Sequence, residues 1–209
     1  MATPNGRVPV VAVPKGRLLK KIAGRLELAG VDKDVLLRDD RSLSRDAGPF
    51  RFLLLKPDDV PTYVEYGAAD VGIVGRDVLM EREYDLYSPV DLGVGRCEMA
   101  VAGRPGALLS DREGPLRVAT KFPNIATQYF TRSNRQIEPI FVQGSVELAP
   151  LTGLADLIVD IVETGETLRQ NGLVVHEKIC DISAVLVANR VGLKLHRDAI
   201  SPLLTHLRP

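Results

Sequence analysis

Residues 159–168 read Val-Asp-Ile-Val-Glu-Thr-Gly-Glu-Thr-Leu, and they place a strand, a tight turn and a helix start next to one another. The apolar residues before Glu163 predict a β-strand that ends at the turn. Thr164 and Thr167 offer hydroxyl groups, and Gly165 lets the backbone turn closely around a ligand. The amides that open the next helix attract an anion. An ordinary strand-to-helix turn with Thr164 as its N-cap would give the same Thr-Gly-x-Thr pattern.

Acidic side chains next to this turn favour a phosphorylated sugar as its ligand. Asp160 and Glu163 lie on the strand or directly after it. Their carboxylates could accept hydrogen bonds from ribose hydroxyls or hold waters around Mg²⁺. The pattern therefore predicts a phosphorylated-sugar site formed by Asp160, Glu163, Thr164, Gly165, Glu166 and Thr167.

Apolar runs that read as strands alternate with helical patterns along the chain. Residues 10–13 precede a helical pattern over residues 16–29, and an apolar run follows at 52–55. Such alternation predicts an α/β fold with largely parallel strands. The interior stretch 42–49 reads as a loop, and its basic residues could close over phosphates.

The C-terminal part of the chain predicts a strand that returns to the first lobe. Residues 183–188 read as that strand, and residues 193–207 read as one final helix. Glycines near residues 93–97 interrupt the pattern and suggest a boundary there.

A sequence pattern that occurs twice in the chain predicts two similar α/β lobes. Gly67-x-x-Asp70 follows a helical segment as Gly153-x-x-Asp156 does, and Lys15 follows the apolar run 10–13 as Lys121 follows the run 116–119. We expect the first lobe to be discontinuous, over residues 1–95 and 183–209. The second lobe, over residues 96–182, would carry the Thr-Gly-x-Thr turn.

The composition excludes several classes of protein. Lys and Arg number 27 and Asp and Glu number 27, so no overall basic field recruits nucleic acid or an anionic membrane. No apolar run approaches the roughly 20 residues of a membrane span, and the N-terminus has no apolar signal segment. We therefore expect a cytoplasmic protein. The three histidines show no ligand spacing with either cysteine, so we expect no metal site built by the protein alone.

Several motifs together resemble the ATP phosphoribosyltransferase family. They recur in order over nearly the whole chain, which makes the resemblance specific. It is carried by Glu147, Gly153, Ala155, Ile158, Asp160, Thr164, Gly165, Thr167 and Leu168, and by the segments at 14–18, 59–64, 67–75 and 119–124. The resemblance implies two lobes like those of type II periplasmic binding proteins, with the active site in the cleft between them.

The implied reaction joins N1 of the ATP adenine to the ribose of phosphoribosyl pyrophosphate and releases pyrophosphate, as the first step of histidine biosynthesis. Because the adenine nitrogen already carries a lone pair, the larger need is to stabilise the departing pyrophosphate. Lys15, Arg17 and Arg41 are the catalytic candidates for that task, since their cations suit the charge that develops.

The ATP contacts implied by the same resemblance are Lys15, Gly16, Asp70 and Lys121. For Asp70 a structural role at the start of its strand is equally open. The family commonly has Arg at the position of Lys56, which leaves any role of this position undecided. Mg²⁺ is expected to arrive with the pyrophosphate group and to keep several waters.

The short segment after the returning strand resembles the short form of the family. That form works with a histidyl-tRNA-synthetase-like regulatory subunit, which supplies feedback control by histidine, so we expect a hetero-oligomer.

Two other interpretations of the sequence stay open. A cytosolic two-lobe protein that only binds a small ligand would show the same lobes, and a phosphoribosyltransferase with another acceptor would need the same turn.

Overall fold

A computed structural model describes residues 7–107 and 114–209 of the chain. The chain divides into two compact units. The first unit runs to Leu79 and continues over Glu83–Gly95 and Ser183–Pro209, and the second comprises Met80–Arg82 and Arg96–Ile182. The second unit thus includes three residues, 80–82, that the sequence assigned to the first lobe.

Helices and strands alternate through both units, and the α/β class is confirmed. The described strands are β1 (Val10–Pro14), β2 (Ser44–Ala47), β3 (Phe50–Leu55), β4 (Val71–Gly75), β5 (Tyr87–Asp91), β6 (Cys97–Gly103), β7 (Leu116–Thr120), β8 (Ile137–Phe141), β9 (Leu157–Val162), β10 (Val174–Ile182) and β11 (Ala184–Ala188). The described α-helices are α1 (Arg17–Leu28), α2 (Lys33–Leu36), α3 (Val60–Glu65), α4 (Arg76–Glu81), α5 (Pro123–Arg132), α6 (Leu148–Thr152), α7 (Glu166–Gln170), α8 (Arg190–Leu195) and α9 (Arg197–His206).

The first unit is built on a sheet with strand order β2-β3-β1-β4-β11-β5. Its central strand β1 is buried at every position, as expected for a strand covered on both faces. Val11 and Val13 belong to one core cluster, together with residues of α1 and α9. Val10 and Ala12 belong to another cluster, together with residues of α3. The period-2 alternation of β1 therefore supplies two cores, one on each face of the sheet.

The second unit is built on a sheet with strand order β10-β6-β9-β7-β8. Alternate residues of its strands again belong to two hydrophobic core clusters. Val159 belongs to the cluster that packs with α5, and Ile158 belongs to the cluster that packs with α6 and α7.

The prediction of largely parallel strands is wrong, because both sheets are mixed. The pairs β1–β3, β1–β4, β7–β8 and β7–β9 are parallel. The other described pairs are antiparallel. Parallel neighbours need a long crossover, whereas strands joined by a short turn must run in opposite directions.

One antiparallel pair corrects the prediction of a loop over residues 42–49. This segment contains β2, which pairs with β3 across a two-residue turn at Gly48 and Pro49. Gly48 has φ of 65°, and a side chain there would overlap the carbonyl oxygen of Gly30. The strand was missed because it is short, polar and stabilised by its neighbour rather than by its own pattern.

The single final helix predicted over residues 193–207 is also wrong. The structure has α8 and α9, which meet at the buried residue His196 with φ of −117°. Asn189 caps α8 by accepting hydrogen bonds from the backbone N–H groups of Val191 and Gly192. The break places the imidazole of His196 in the interior, where it is 4% exposed.

Candidate active site

Three basic residues lie at the carboxyl edge of the parallel strands in the first unit. Lys15 and Arg17 follow β1, and Lys56 follows the adjacent strand β3. The backbone N–H of Lys15 donates a hydrogen bond of 2.9 Å to Leu55 O, which holds the ends of the two strands side by side. Gly16 adopts φ of 98° between Lys15 and α1. Ligands of α/β sheets usually bind at this edge, because the strand ends and helix starts converge there.

A cavity of about 300 Å³ opens beside this edge in the first unit. Its lining includes Gly16 and the cationic residues Lys15, Lys20, Arg38 and Arg45. Pyrophosphate or a nucleotide triphosphate needs several cations at close range, and lysine and arginine are the usual phosphate contacts. The arrangement can therefore bind a polyphosphate.

Two acids, Asp39 and Asp40, also line this cavity. The backbone N–H of Ser42 donates to Asp40 Oδ1 at 2.7 Å, and the Arg45 guanidinium donates to the same oxygen at 2.9 Å. The Ser42 amide first, and the Arg45 guanidinium in addition, lower the pKa of Asp40 from its ordinary value. Asp40 is thus held as a carboxylate by groups of the protein.

Arg41 is exposed in the loop between α2 and β2. Its chain neighbours Asp40 and Ser42 both line the cavity. The structure therefore brings Lys15, Gly16 and the loop that carries Arg41 together at one site, with Arg17 in the first position of α1.

Asp70 lies at the other end of the same sheet, directly before β4. Its Oδ2 accepts a hydrogen bond of 2.8 Å from the backbone N–H of Val10, and its Oδ1 is 3.9 Å from His196 Nε2. Lys15 follows Val10 by five residues of extended chain, which is about 16 Å. Of the two roles left open for Asp70, the structure favours the structural one.

In the second unit, the predicted sugar-phosphate loop lies at the carboxyl edge of β9. Gly165 is the N-cap of α7 and adopts φ of 71°, in the left-handed region that favours glycine. The alternative of an ordinary turn with Thr164 as N-cap does not hold, and the Thr164 hydroxyl makes a long contact of 3.4 Å with Glu166 N. Thr164 and Glu163 are exposed on the turn, and Thr167 is exposed in the first turn of α7.

Asp160 and Lys121 complete the predicted set in this unit. Asp160 is half-buried on β9, upstream of the loop. Lys121 follows β7, which is the strand next to β9, so it lies at the same carboxyl edge. The hydroxyl of Thr120 donates to Val159 O at 2.6 Å and accepts from Phe122 N at 2.8 Å, which holds the turn around Lys121. Phe122 is a core residue.

The connection after β8 ends at the same edge and was not singled out from the sequence. It contains Gly144 and Ser145, and Ser145 adopts φ of 49°, which is uncommon for a residue other than glycine. Val142 N donates to Thr120 O at 3.0 Å and so joins this connection to the turn before Lys121. A Gly-Ser pair after an apolar run was the available signal, but it is typical of many turns.

Glu81 explains why residues 80–82 belong to the second unit. Its carboxylate accepts hydrogen bonds from the backbone N–H groups of Asn124 and Ile125 at 3.0 and 3.1 Å. These amides open α5, and a carboxylate at a helix start satisfies donors that the helix leaves unpaired. The partner lies 43 residues away in the sequence, so local pattern reasoning does not find it.

No group of three or more His, Cys, Asp or Glu residues within residues 7–107 and 114–209 could hold a metal ion. Within the same ranges, the helices are all too short or too polar to cross a membrane.

Cations surround a cavity in one unit, and a glycine-containing turn with two threonines ends a strand in the other. These features are typical of α/β proteins that bind phosphorylated ligands at the carboxyl edges of their strands. The family model described as HisG, ATP phosphoribosyltransferase, matches residues 56–209. The chain belongs to the ATP phosphoribosyltransferase family.

Individual relatives agree with this assignment. An ATP phosphoribosyltransferase of Sorangium cellulosum is 54% identical over 200 residues, which cover 95% of this chain and 93% of that protein. The enzyme of the same name from Bacillus subtilis is 46% identical over 205 residues, which cover 97% and 95%. The structure is similar to a chain of the ATP phosphoribosyl transferase (HisG:HisZ) complex from Thermotoga maritima. The TM-score is 0.82 at 38% identity, with 95% of this chain and 96% of that chain covered.

Proposed function

We propose that this chain transfers the phosphoribosyl group of phosphoribosyl pyrophosphate to N1 of the ATP adenine and releases pyrophosphate. This is the first step of histidine biosynthesis. The observation that carries the proposal is the placement of the Thr164–Thr167 turn at the carboxyl edge of β9, within a chain whose relatives are ATP phosphoribosyltransferases. The relatives argue against a protein that only binds a ligand, and they favour ATP over other acceptors.

We assign phosphoribosyl pyrophosphate to the second unit. The backbone at Gly165 and the hydroxyls of Thr164 and Thr167 would contact the 5′-phosphate. Asp160 and Glu163 would accept hydrogen bonds from the ribose hydroxyls. Glu166 is the first residue of α7 and lies between the two threonines. Its carboxylate makes an ion pair with Arg169, which keeps this charge partly neutralised near the anion.

The polyphosphate-binding role falls to the first unit. Lys15 and the Gly16 backbone line the cavity, and Arg17 and Arg41 lie next to lining residues. These cations would stabilise the pyrophosphate as its charge develops during bond cleavage. Lys121 belongs to the second unit, where its ammonium would contact ATP at the edge that also carries the sugar-phosphate loop.

Mg²⁺ would enter as part of the substrate, bound to the pyrophosphate group. Asp160 and Glu163 are suited to hold its waters, because carboxylate oxygens are the ligands that this ion prefers. The ion would neutralise charge on the leaving group.

The architecture and the assembly are part of the same proposal. We infer that the two units are the lobes of a fold like that of type II periplasmic binding proteins, while the interlobe placement of the active site stays a prediction. The similarity to a chain of a HisG:HisZ complex supports a hetero-oligomer with a regulatory subunit like histidyl-tRNA synthetase. A cytoplasmic location fits a biosynthetic enzyme.

The test compares acceptors. The chain and its candidate partner subunit are incubated with phosphoribosyl pyrophosphate, Mg²⁺ and one of ATP, adenine, guanine or orotate, and pyrophosphate release is measured. ATP alone should support release. Release with another acceptor only would replace ATP in the proposal, and no release with any acceptor would favour a binding protein.

A second experiment tests the regulatory assembly. Initial rates are measured with and without histidine, for the chain alone and with the partner. Histidine should inhibit only the assembled complex, because coupling requires a second site whose occupancy biases the protein. Equal inhibition of the isolated chain would contradict this assignment.

A further inference from the structure

Arg45 occupies a position where a charged side chain is unusual. It lies on β2, where burial alternates so that Arg45 and Ala47 face the interior. The residue is only 9% exposed. The sequence suggested a basic loop that closes over phosphates, and the structure buries this guanidinium in the first unit, beside the cavity that it helps to line. A buried charge is costly unless it is paired and hydrogen-bonded.

The guanidinium holds both sides of the loop that carries Arg41. Its Nη1 donates to Leu36 O at 2.5 Å and to Val35 O at 3.3 Å, which are carbonyls at the end of α2. Its Nη2 donates to Asp40 Oδ1 at 2.9 Å. One planar group therefore joins the helix that enters the loop to the residue directly before Arg41.

Asp40 extends this hydrogen-bond network to the residues on either side of Arg41. Its Oδ1 also accepts from the backbone N–H of Ser42 at 2.7 Å, so the carboxylate spans Arg41 from both sides. The hydroxyl of Ser42 donates to Ser44 O at 2.8 Å, which fastens the end of the loop to β2. The backbone on either side of Arg41 is thereby tied to Arg45.

Stability alone does not account for this arrangement. Arg45 Nε is buried and has no hydrogen-bond partner among the described residues. The ion pair is buried on the arginine side only, since 8% of the Arg45 side chain and 39% of the Asp40 side chain are exposed. Taking a guanidinium out of water costs free energy that such a pair often does not recover. The unsatisfied nitrogen adds a further penalty. What the guanidinium does supply is a fixed geometry, since its fork of donors can bind two carbonyls and a carboxylate at once.

We propose that Arg45 is a positioning residue that holds the 37–43 loop so that Arg41 meets the departing pyrophosphate. This inference rests on the proposed role of Arg41. Arg45 also lines the cavity, but the described hydrogen bonds of its guanidinium go to Leu36 O, Val35 O and Asp40 Oδ1, so we infer that it acts through Arg41. Misplacement of a catalytic group by about 1 Å can lower a rate by roughly a hundredfold, so a loop clamp of this kind has a large effect on the chemical step.

The test is a double-mutant cycle on single-turnover rates. Arg45→Met, Arg41→Ala and the double variant are each assembled with the partner subunit and supplied with ATP, phosphoribosyl pyrophosphate and Mg²⁺. Arg45→Met should lower the rate by about tenfold to a hundredfold. In the Arg41→Ala background the same change should have no further effect, because the residue it positions is already absent.

The chain offers a matched control. Arg51 on β3 binds Asp46 on β2 through two hydrogen bonds of 2.7 and 3.0 Å, and this pair is exposed on the same two strands. Arg51→Met should leave the single-turnover rate unchanged. Circular dichroism shows whether each variant is folded. If Arg45→Met does not fold, Arg45→Lys replaces it in the cycle, and the same loss and the same absence of effect beside Arg41→Ala are expected.

Each alternative result has a distinct meaning. If the losses from Arg45 and Arg41 multiply, Arg45 acts independently and the positioning role is overturned, while the role of Arg41 stands. A normal rate for folded Arg45→Met also overturns it. A normal rate for Arg41→Ala removes Arg41 from the proposed site and overturns the inference with it.

Discussion

Replacement of Asp70 separates a structural carboxylate from a substrate contact. Asp70 is 5% exposed, and its Oδ2 accepts a hydrogen bond of 2.8 Å from the backbone N–H of Val10. Asp70→Ala would leave that buried N–H without an acceptor, which costs about 1.5–3 kcal/mol for a hydrogen bond to a charged group. The variant would also leave His196, which lies next to the carboxylate, without its nearest charged neighbour.

The expected change in stability is measurable. A loss of about 2 kcal/mol corresponds to a melting temperature lower by roughly 4–8 °C for a chain of this size. Asp70→Asn is the matched control, because its amide oxygen can still accept from Val10 N, and it should lose about half as much. Thermal unfolding followed by circular dichroism gives both values.

Steady-state kinetics of the same variants provide a second test of the role of Asp70. Asp70 lies at the end of β1 opposite to Lys15, so the Michaelis constant for ATP should stay within about twofold of the wild-type value. A normal melting temperature combined with an ATP affinity about tenfold weaker would refute this reasoning. Asp70 would then be a substrate residue.

Three other predictions concern the second unit. Thr164→Ala and Glu163→Ala should each weaken the binding of phosphoribosyl pyrophosphate by about tenfold to a hundredfold, and calorimetric titrations with normal affinities would remove the loop from the site. Gly165→Ala should weaken the same binding by about fivefold, because a left-handed φ of 71° costs alanine about 1 kcal/mol, whereas Gly165→Asn should retain more affinity. Hydrogen bonds from Arg135, and also from Tyr129, lower the pKa of Glu177 below its ordinary value of 4.5. The stability that Glu177 contributes is therefore fully present above about pH 4.5 and is lost as the pH falls through the lowered pKa, so wild type should melt higher than Glu177→Gln near pH 7, and this difference should shrink as the pH is lowered below 4.5.

Most of the candidate site in the second unit was predictable because it is local in sequence. The residues from Asp160 to Thr167 form one strand end and one turn, and the requirement for a left-handed residue at position 165 is met by a glycine at that position. Lys15, Gly16 and Arg17 were predictable for the same reason. The role of Asp70 was not, because its acceptor oxygen serves a backbone N–H that lies 60 residues away.

The sequence by itself determined the alternation of strands and helices, the strand β1 and the helix α1, and the turn that ends β9. These features follow from apolar periodicity and from the conformational needs of glycine, which act over a few residues. The tertiary structure decided the direction of strand pairing, the existence of β2, the break at His196 and the burial of Arg45. Each of these depends on groups that are distant in the chain. A short polar strand forms because β3 supplies its hydrogen bonds, and a guanidinium is buried because three acceptors from the preceding loop and helix meet it there.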